Sequence, residues 1–195
     1  GPRFAVTIDD FNLTSGPLTV GAGRHQRVLA ALDAAGIQAA GFIAGKYVDS
    51  AAGHRHLAAW AEAGHLIGNH TYSHIQLTSN NREAFRQELI STNEVLKEIT
   101  GAEPIFVRPP YGSWDKGFEQ ELNMFPVLWT IDPLDWCSQS STNVEKRILS
   151  KARENAIILL HDEYASSIEA ALFIVDELQS QGYVFVTVEE IMLVS

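Results

Sequence analysis

Hydrophobic positions along the chain fall into two recurring forms, short continuous apolar runs and longer segments with helical spacing. Continuous runs predict buried strands, and apolar residues recurring every three or four positions predict helices. Strands are predicted over residues 4–8, 37–44, 66–68, 105–107, 127–131, 156–160 and 184–187. Helices are predicted over residues 24–35, 54–63, 80–100, 144–154, 167–179 and, as a last turn, 189–193.

The two forms alternate along the whole chain, which predicts an α/β fold. Short apolar strands that alternate with helices indicate a parallel sheet covered by helices, either an open doubly wound sheet or a closed barrel. Four strands are followed by polar, chemically capable residues, and in both folds the site gathers at the carboxyl ends of strands. Several strands contributing to one spot favours a distorted (β/α) barrel of about seven parallel strands surrounded by helices. The polar residues that follow these four predicted strands are Asp9-Asp10, Arg108, Asp132 to Asp135, and His161.

Composition narrows the class of protein. The chain has 195 residues, of which 46% are apolar, and we interpret residues 1–195 as one domain. A net charge of −10 argues against nucleic acid as a partner, because phosphate binding needs clustered Lys and Arg. No apolar run is long enough to span a bilayer. The single cysteine, Cys137, excludes an internal disulfide and a multi-cysteine metal site.

Two adjacent carboxylates, Asp9 and Asp10, end the first strand. Neighbouring side chains on a strand point to opposite faces, so alternation cannot place both in water or both in the core. Because burying an unpaired carboxylate is costly, the pair needs a metal, a cation or an open cleft. The alternative is that both residues open a turn, where Asp and Asn are common.

His70 and His74 are four residues apart. On a helical turn both imidazoles would project from one face at metal-chelating distance, and two His with one Asp form a common shell for a divalent metal. The alternative is a pair of surface histidines. The other histidines considered, which we interpret as solvated, are His25, His54, His56 and His65.

Polar residues also follow two later strands. Arg108 precedes two prolines, which stiffen the backbone, and such an arginine could hold a carboxylate through two parallel hydrogen bonds. An ion pair with a helix is the alternative. Asp135 beside Trp136, and His161 at a strand end, suggest a carboxylate-oriented histidine near an aromatic wall. For His161 alone, a satisfied core histidine is the alternative.

Taken together, five segments resemble the motifs of the polysaccharide deacetylase (NodB-like) family, carbohydrate esterase family four. They occur in the family's order and span nearly the whole chain, and a helix of the family's Glu-Ala-Leu type follows at Glu169-Ala170-Ala171-Leu172. The segments are Thr7-Ile8-Asp9-Asp10, His70-Thr71-Tyr72-Ser73-His74, Arg108-Pro109-Pro110-Tyr111, Asp132-Pro133-Leu134-Asp135-Trp136 and Leu159-Leu160-His161.

The resemblance implies a metal site and a general base. Asp10, His70 and His74 would hold a divalent metal, with zinc expected first and cobalt, nickel or manganese as alternatives. Asp9 would be the base that takes a proton from the attacking water, and Arg108 would orient Asp9 and keep it ionised.

It also implies roles for the rest of the site. The backbone amide of Tyr111 would stabilise the oxyanion, and His161 would protonate the leaving amine with Asp135 tuning it. Trp136 and Leu159 would wall the pocket for the acetyl methyl group.

The activity implied is metal-dependent hydrolysis of N-acetyl, or O-acetyl, groups on a carbohydrate polymer or oligomer, releasing acetate. Chitooligosaccharides, peptidoglycan, poly-N-acetylglucosamine and acetylated xylan stay open as substrates, with Tyr111 and Trp114 as candidates for stacking on sugars, and packing as the alternative for Trp114. The family implies an extracellular, periplasmic or cell-envelope location. Phe11-Asn12-Leu13 replaces the Gly-Pro with which the family often continues its first motif, which leaves the substrate more open than the chemistry.

Three alternative functions are considered, two of them enzymatic and one a binding function. A hydrolase of small cyclic amides on the same barrel would alter the metal and base motifs. A catalytically silent carbohydrate-binding protein would have lost the base or a ligand, and neither is lost here. A Ser- or Cys-dependent hydrolase lacks support, because no Gly-x-Ser-x-Gly elbow exists and Cys137 has no evident base.

Overall fold

A parallel sheet forms the centre of the molecule. The computed structural model describes residues 2–10, 30, 32–34, 36–129, 142, 156–161 and 165–194. Within these residues the strands follow the order β5-β4-β3-β2-β1-β6, while β7 pairs with the start of β1, and every pairing is parallel. This confirms the predicted class, about seven parallel strands surrounded by helices. The strands are β1 Arg3–Asp10, β2 Ala40–Ile43, β3 Leu66–Asn69, β4 Phe106–Val107, β5 Phe125–Pro126, β6 Ala156–His161 and β7 Val184–Phe185.

Helices follow the strands along the chain, close to the positions predicted for them. The first begins three residues before its predicted start, because the Ser50 hydroxyl accepts a hydrogen bond from Gly53 N and caps it. None of the described helices combines the length and apolarity needed to cross a membrane. The helices are α1 Ala51–Glu62, α2 Arg82–Thr100, α3 Gly117–Leu122, α4 Ala165–Ser180 and α5 Val188–Val194, with 3-10 turns at Gly45–Tyr47 and Pro110–Gly112.

The core lies on both faces of the sheet. All four residues of β2 are buried, as expected for a central strand with helices above and below it. On one side Ile43 packs in a cluster with Leu57 and Trp60 of α1 and Leu96 of α2. This packing positions α2 against the sheet, and α2 in turn contacts β3 and the 3-10 turn Gly45–Tyr47.

The predicted strand over residues 127–131 is wrong in position. The strand is Phe125–Pro126, and Val127 to Trp129 are not part of it, while Thr130 and Ile131 lie outside the described residues. The guanidinium of Arg108 donates from Nε to the Val127 carbonyl (3.1 Å) and from Nη2 to the Leu128 carbonyl (3.3 Å). These carbonyls therefore bind a side chain rather than a neighbouring strand. The predicted helix over 144–154, and most of that over 24–35, lies outside the described residues.

His65 was predicted to be solvated, and this is wrong. Only 5% of the residue is exposed, and its ring packs 4.9 Å from the Trp60 ring. Nδ1 accepts a hydrogen bond from Ala39 N at 3.0 Å, so this nitrogen carries the lone pair of a neutral imidazole. Burial lowers the pKa of His65, and Asp33, 3.9 Å from Nε2, opposes that shift only in part.

Candidate active site

The carboxyl ends of neighbouring strands carry the predicted site residues to one edge of the sheet. In the pairing of β1 with β6, Asp9 lies opposite His161, and in the pairing of β1 with β2, Asp10 lies opposite Ile43. His70 and Arg108 directly follow β3 and β4, whose ends are paired with each other. Of the four predicted strand ends, those at Asp9-Asp10, Arg108 and His161 therefore lie at one edge of the sheet, and His70 lies there with them. Asp10, Leu159 and His161 are placed by their backbone alone, and Asp132 to Trp136, with the candidates Asp135 and Trp136, lie outside the described residues.

Asp9 and Arg108 form a buried ion pair. Arg108 Nη1 lies 2.8 Å from Asp9 Oδ1, and the two residues are 0% and 2% exposed, respectively. The same Nη1 donates to the Thr7 hydroxyl at 2.6 Å, and the guanidinium lies 4.5 Å from the centre of the Phe42 ring. The contact runs through one nitrogen rather than the predicted two, because Nε and Nη2 bind the carbonyls of the following segment. A rigid, desolvated cation thus orients the Asp9 carboxylate.

The backbone carbonyl of Arg108 determines which ring nitrogen of His70 carries the proton. His70 Nδ1 lies 2.6 Å from the Arg108 carbonyl oxygen, which can only accept, so Nδ1 carries the proton. In the neutral ring the lone pair is then on Nε2, which lies 3.8 Å from Asp9 Oδ2. His70 is buried, and its Nε2 faces the Asp9 carboxylate. A backbone carbonyl on the far nitrogen is the usual support of a metal-ligating histidine.

His74 joins His70 through a loop rather than the predicted helical turn. The two ring centres are 4.8 Å apart at 71°, but Thr71 and His74 both have left-handed backbones, with φ of 63° and 64°. That conformation costs a β-branched residue about 1–3 kcal/mol, so neighbours must hold it. The Thr71 hydroxyl accepts from His74 N, and its carbonyl accepts from Gly45 N at 3.0 Å.

Residues 70–74, which we call the 70–74 loop, are also held from outside. Ser73 N donates to the Glu88 carboxylate at 2.8 Å, and the Tyr72 hydroxyl donates to Asp49 at 2.9 Å, which raises the pKa of Tyr72. Gly45 lets the backbone approach closely, because a Cβ there would lie 2.7 Å from Tyr72 Cδ2. The loop is therefore positioned by α2 and by the turn after β2.

Tyr111 lies at the opening of the site. Its φ is 61°, within the 3-10 turn Pro110–Gly112, and 65% of the residue is exposed, with its ring centre 5.2 Å from that of His74. The hydrogen bonds of this turn use the amides of Gly112 and Ser113, and not that of Tyr111. Trp114, the second stacking candidate, is half-buried and packs 5.3 Å from the Phe118 ring, as its packing alternative predicted.

The donor set present fits a divalent metal. A neutral imidazole whose ligating nitrogen faces a carboxylate, with a second imidazole against it, suits zinc or a similar ion. Among the side chains that the structure describes, no group of three or more His, Cys, Asp and Glu could hold a metal, and the Asp10 side chain is outside them.

Sequence reasoning gave no role to two residues of the site, namely Asn69 and Thr7, the first residue of the first motif. Thr7 accepts from Arg108, and Asn69 is fully buried behind the 70–74 loop. Both are polar residues inside apolar strand segments, which is the signal that could have found them.

The chain is similar to known proteins in sequence and in structure. Residues 1–127 match the family model described as Polysaccharide deacetylase. Peptidoglycan-N-acetylmuramic acid deacetylase PdaC of Bacillus subtilis (strain 168) is 34% identical over 128 residues, which cover 66% of this chain and 27% of PdaC. Peptidoglycan-N-acetylglucosamine deacetylase PgdA of Listeria monocytogenes serotype 1/2a (strain 10403S) is 32% identical over 130 residues, covering 67% of this chain and 28% of PgdA.

The similarity in structure extends beyond residue 127. The solved structure of peptidoglycan deacetylase PdaC from Bacillus subtilis has a TM-score of 0.85 and 29% identity, and the match covers 98% of this chain and 90% of that one. The matched residues nevertheless span only about a quarter of the length of PdaC and of PgdA.

Proposed function

Because the chain belongs to the polysaccharide deacetylase family, we propose that it hydrolyses N-acetyl groups on a glycan and releases acetate, with the help of a divalent metal. Both relatives described above are named as deacetylases of peptidoglycan amino sugars, so peptidoglycan is the first substrate to test. The observation that carries the proposal is the buried Asp9–Arg108 pair, whose free carboxylate oxygen faces Nε2 of His70.

The metal would be held by Asp10, His70 and His74, with zinc expected first. When bound, such an ion polarises the acetamide carbonyl and lowers the pKa of water. The tautomer of His70 supports this assignment, since the Arg108 carbonyl fixes the proton on Nδ1 and reserves Nε2 for a ligand.

Asp9 would be the general base. Its Oδ1 is engaged by Arg108, which leaves Oδ2 to accept a proton from the attacking water. Arg108 places its cation 2.8 Å from the Asp9 carboxylate in a setting from which solvent is excluded, which offsets part of the cost of burying the pair.

The remaining roles concern the carbonyl oxygen, the leaving amine and the acetyl methyl group. The amide of Tyr111 would donate to the developing negative charge, and His161, opposite Asp9 in the sheet register, would protonate the amine with Asp135 tuning it. Leu159 and Trp136 would line the methyl pocket.

An acetate-release assay tests the proposal. The chain is incubated with peptidoglycan, chitooligosaccharides, poly-N-acetylglucosamine and acetylated xylan, each with and without a chelator, and Asp9→Asn is the matched control. We expect chelator-sensitive release from peptidoglycan by the wild-type chain and none by the variant. Binding of glycan without acetate release from any substrate would contradict the proposal and favour a silent carbohydrate-binding protein.

A further inference from the structure

Asn69 lies at a junction between the 70–74 loop and helix α2. It is the last residue of β3, it directly precedes His70, and it is 0% exposed. A buried amide is costly unless its donors and acceptor are used. Here all are used, and in two different directions.

The nitrogen end of the side chain faces α2. Nδ2 donates to the Leu89 carbonyl and to Asn93 Oδ1, both at 2.8 Å. Asn93 is itself buried and directs its own Nδ2 to Met124 Sδ at 3.7 Å. The end of β3 is thus tied to the middle of a helix whose buried face is part of the core.

The oxygen end faces the loop. Asn69 Oδ1 accepts from Thr71 N at 2.8 Å, closing a turn across His70. Thr71 has the left-handed backbone that directs the chain back to His74, and its hydroxyl accepts from His74 N. The direction of the loop between the two histidines therefore depends on an acceptor placed at this position.

We propose that Asn69 is a positioning residue for the His70–His74 pair, because its oxygen sets the turn at Thr71 while its nitrogen anchors that turn to helix α2. The inference rests on the proposed function, in which these two histidines hold a divalent metal. Asn69 acts through the loop and touches neither metal nor substrate.

A purely structural Asn69 would affect stability alone, so the test compares two variants of the same bonded pair. Asn69→Leu has a side chain of similar volume and removes the hydrogen bonds of both Nδ2 and Oδ1. Asn93→Ala, the matched control, removes the partner on α2 and keeps the bond from Asn69 Oδ1 to Thr71 N. Zn²⁺ affinity of the apo chain is measured by competition with a chromophoric chelator, and the visible spectrum is recorded with Co²⁺, both at a temperature where circular dichroism shows a folded chain.

For Asn69→Leu we expect Zn²⁺ affinity about tenfold weaker or more, and a changed Co²⁺ spectrum. For Asn93→Ala we expect a lower midpoint of unfolding, with Zn²⁺ affinity within about twofold of wild type, because Asn69 Nδ2 still donates to the Leu89 carbonyl and Oδ1 still accepts from Thr71 N. Wild-type affinity and spectrum in Asn69→Leu would overturn the inference, as would an equal loss of affinity in both variants. If Asn69→Leu does not fold, Asn69→Ala serves instead, since it leaves room for water on Leu89 and Asn93 and has no side-chain acceptor for Thr71 N.

The two proposals fail in different ways. A wild-type chain that binds no divalent metal overturns both. A wild-type chain that binds metal, and an Asn69→Leu chain that binds it equally well, overturn only the role of Asn69.

Discussion

Arg108 is joined to His70 by its backbone, with the carbonyl oxygen 2.6 Å from Nδ1, while its side chain binds the Asp9 carboxylate. One residue thus supports the candidate base and a candidate metal ligand through different atoms. A side-chain substitution at Arg108 can therefore remove one of these supports and leave the other.

Arg108→Met should separate the two supports. The Asp9 carboxylate would stay buried without its cation, which costs about 3–5 kcal/mol of unfolding free energy when one partner of a buried pair is removed. The backbone bond to His70 would persist, so we expect metal to bind to the folded fraction. Urea unfolding and metal analysis check this.

Arg82→Met is the control for the loss of a paired arginine. Arg82 binds Asp115 at 2.7 Å in an exposed setting, and we expect a much smaller change in stability there. If Arg108→Met and Arg82→Met lost equal amounts of unfolding free energy, burial would not explain the cost of removing an arginine from its ion pair.

Asp9→Asn should abolish turnover while metal stays bound. The amide keeps the shape of the carboxylate but cannot accept the proton, and general bases contribute about 10²–10⁴-fold to rate. Acetate release and metal content are measured on the same preparation. Near-normal turnover in this variant would show that Asp9 is not the base.

His70→Ala should lose most of the metal affinity. Wild-type chain purified without chelator is expected to carry about one zinc or similar ion, because one site is predicted. His54→Ala, on the half-exposed surface of α1, is the matched control and should bind metal as wild type does. A metal-free chain with full activity would rule out the site.

Gly45→Ala should weaken metal binding as well as the fold. The new Cβ would lie 2.7 Å from Tyr72 Cδ2 and 2.8 Å from Thr92 Oγ1, so it displaces the 70–74 loop, at a cost of about 1–3 kcal/mol. Gly64→Ala is a control with strain elsewhere, since Gly64 has a φ of 88° and its Cβ would lie 2.6 Å from Gln38 Nε2. We expect the control to lower stability and leave zinc affinity unchanged, and titrations of both variants decide this.

Stability should fall as the pH drops below about 6.5, through His65. Burial lowers the pKa of the folded histidine, so the unfolded chain takes up a proton first. At higher pH both states are neutral and the histidine contributes no pH dependence. As the pH falls through the unfolded pKa, stability is lost until the folded pKa is reached.

The measurement for His65 is urea unfolding between about pH 5 and pH 8. His65→Gln should flatten the decline, whereas His54→Gln, on a half-exposed helix surface, should leave it unchanged. If the unfolding free energy fell equally steeply with decreasing pH in the wild-type chain and in His65→Gln, His65 would not be the source of the pH dependence.

Local patterns predicted the strands and the described helices well, because burial and helical spacing are properties of neighbouring residues. The position of β5 was wrong, since carbonyls of residues 127 and 128 bind Arg108, about 20 positions away. The pairing of His70 with His74 was predicted, but on a helical turn rather than in a loop. The loop could not be predicted locally, because the left-handed backbone of Thr71 is held by Gly45, which is distant in sequence.

The burial of His65 also depended on contacts that its local sequence does not show. Its position near a predicted helix end suggested solvent, but the ring is enclosed by Trp60 and by the Ala39 backbone. The site itself was predicted as a set of residues at strand ends, while the hydrogen bonds that give each residue its state required the folded chain.

The burial of Asp9 and Arg108 has a consequence for the effect of salt. Dissolved ions screen charges that are in contact with water and reach a fully enclosed pair far less. The orientation of the carboxylate should therefore hold over a wide range of ionic strength. A response of turnover to added salt would then reflect electrostatic effects on substrate association with a chain of net charge −10. It would not reflect a change in the orientation of Asp9.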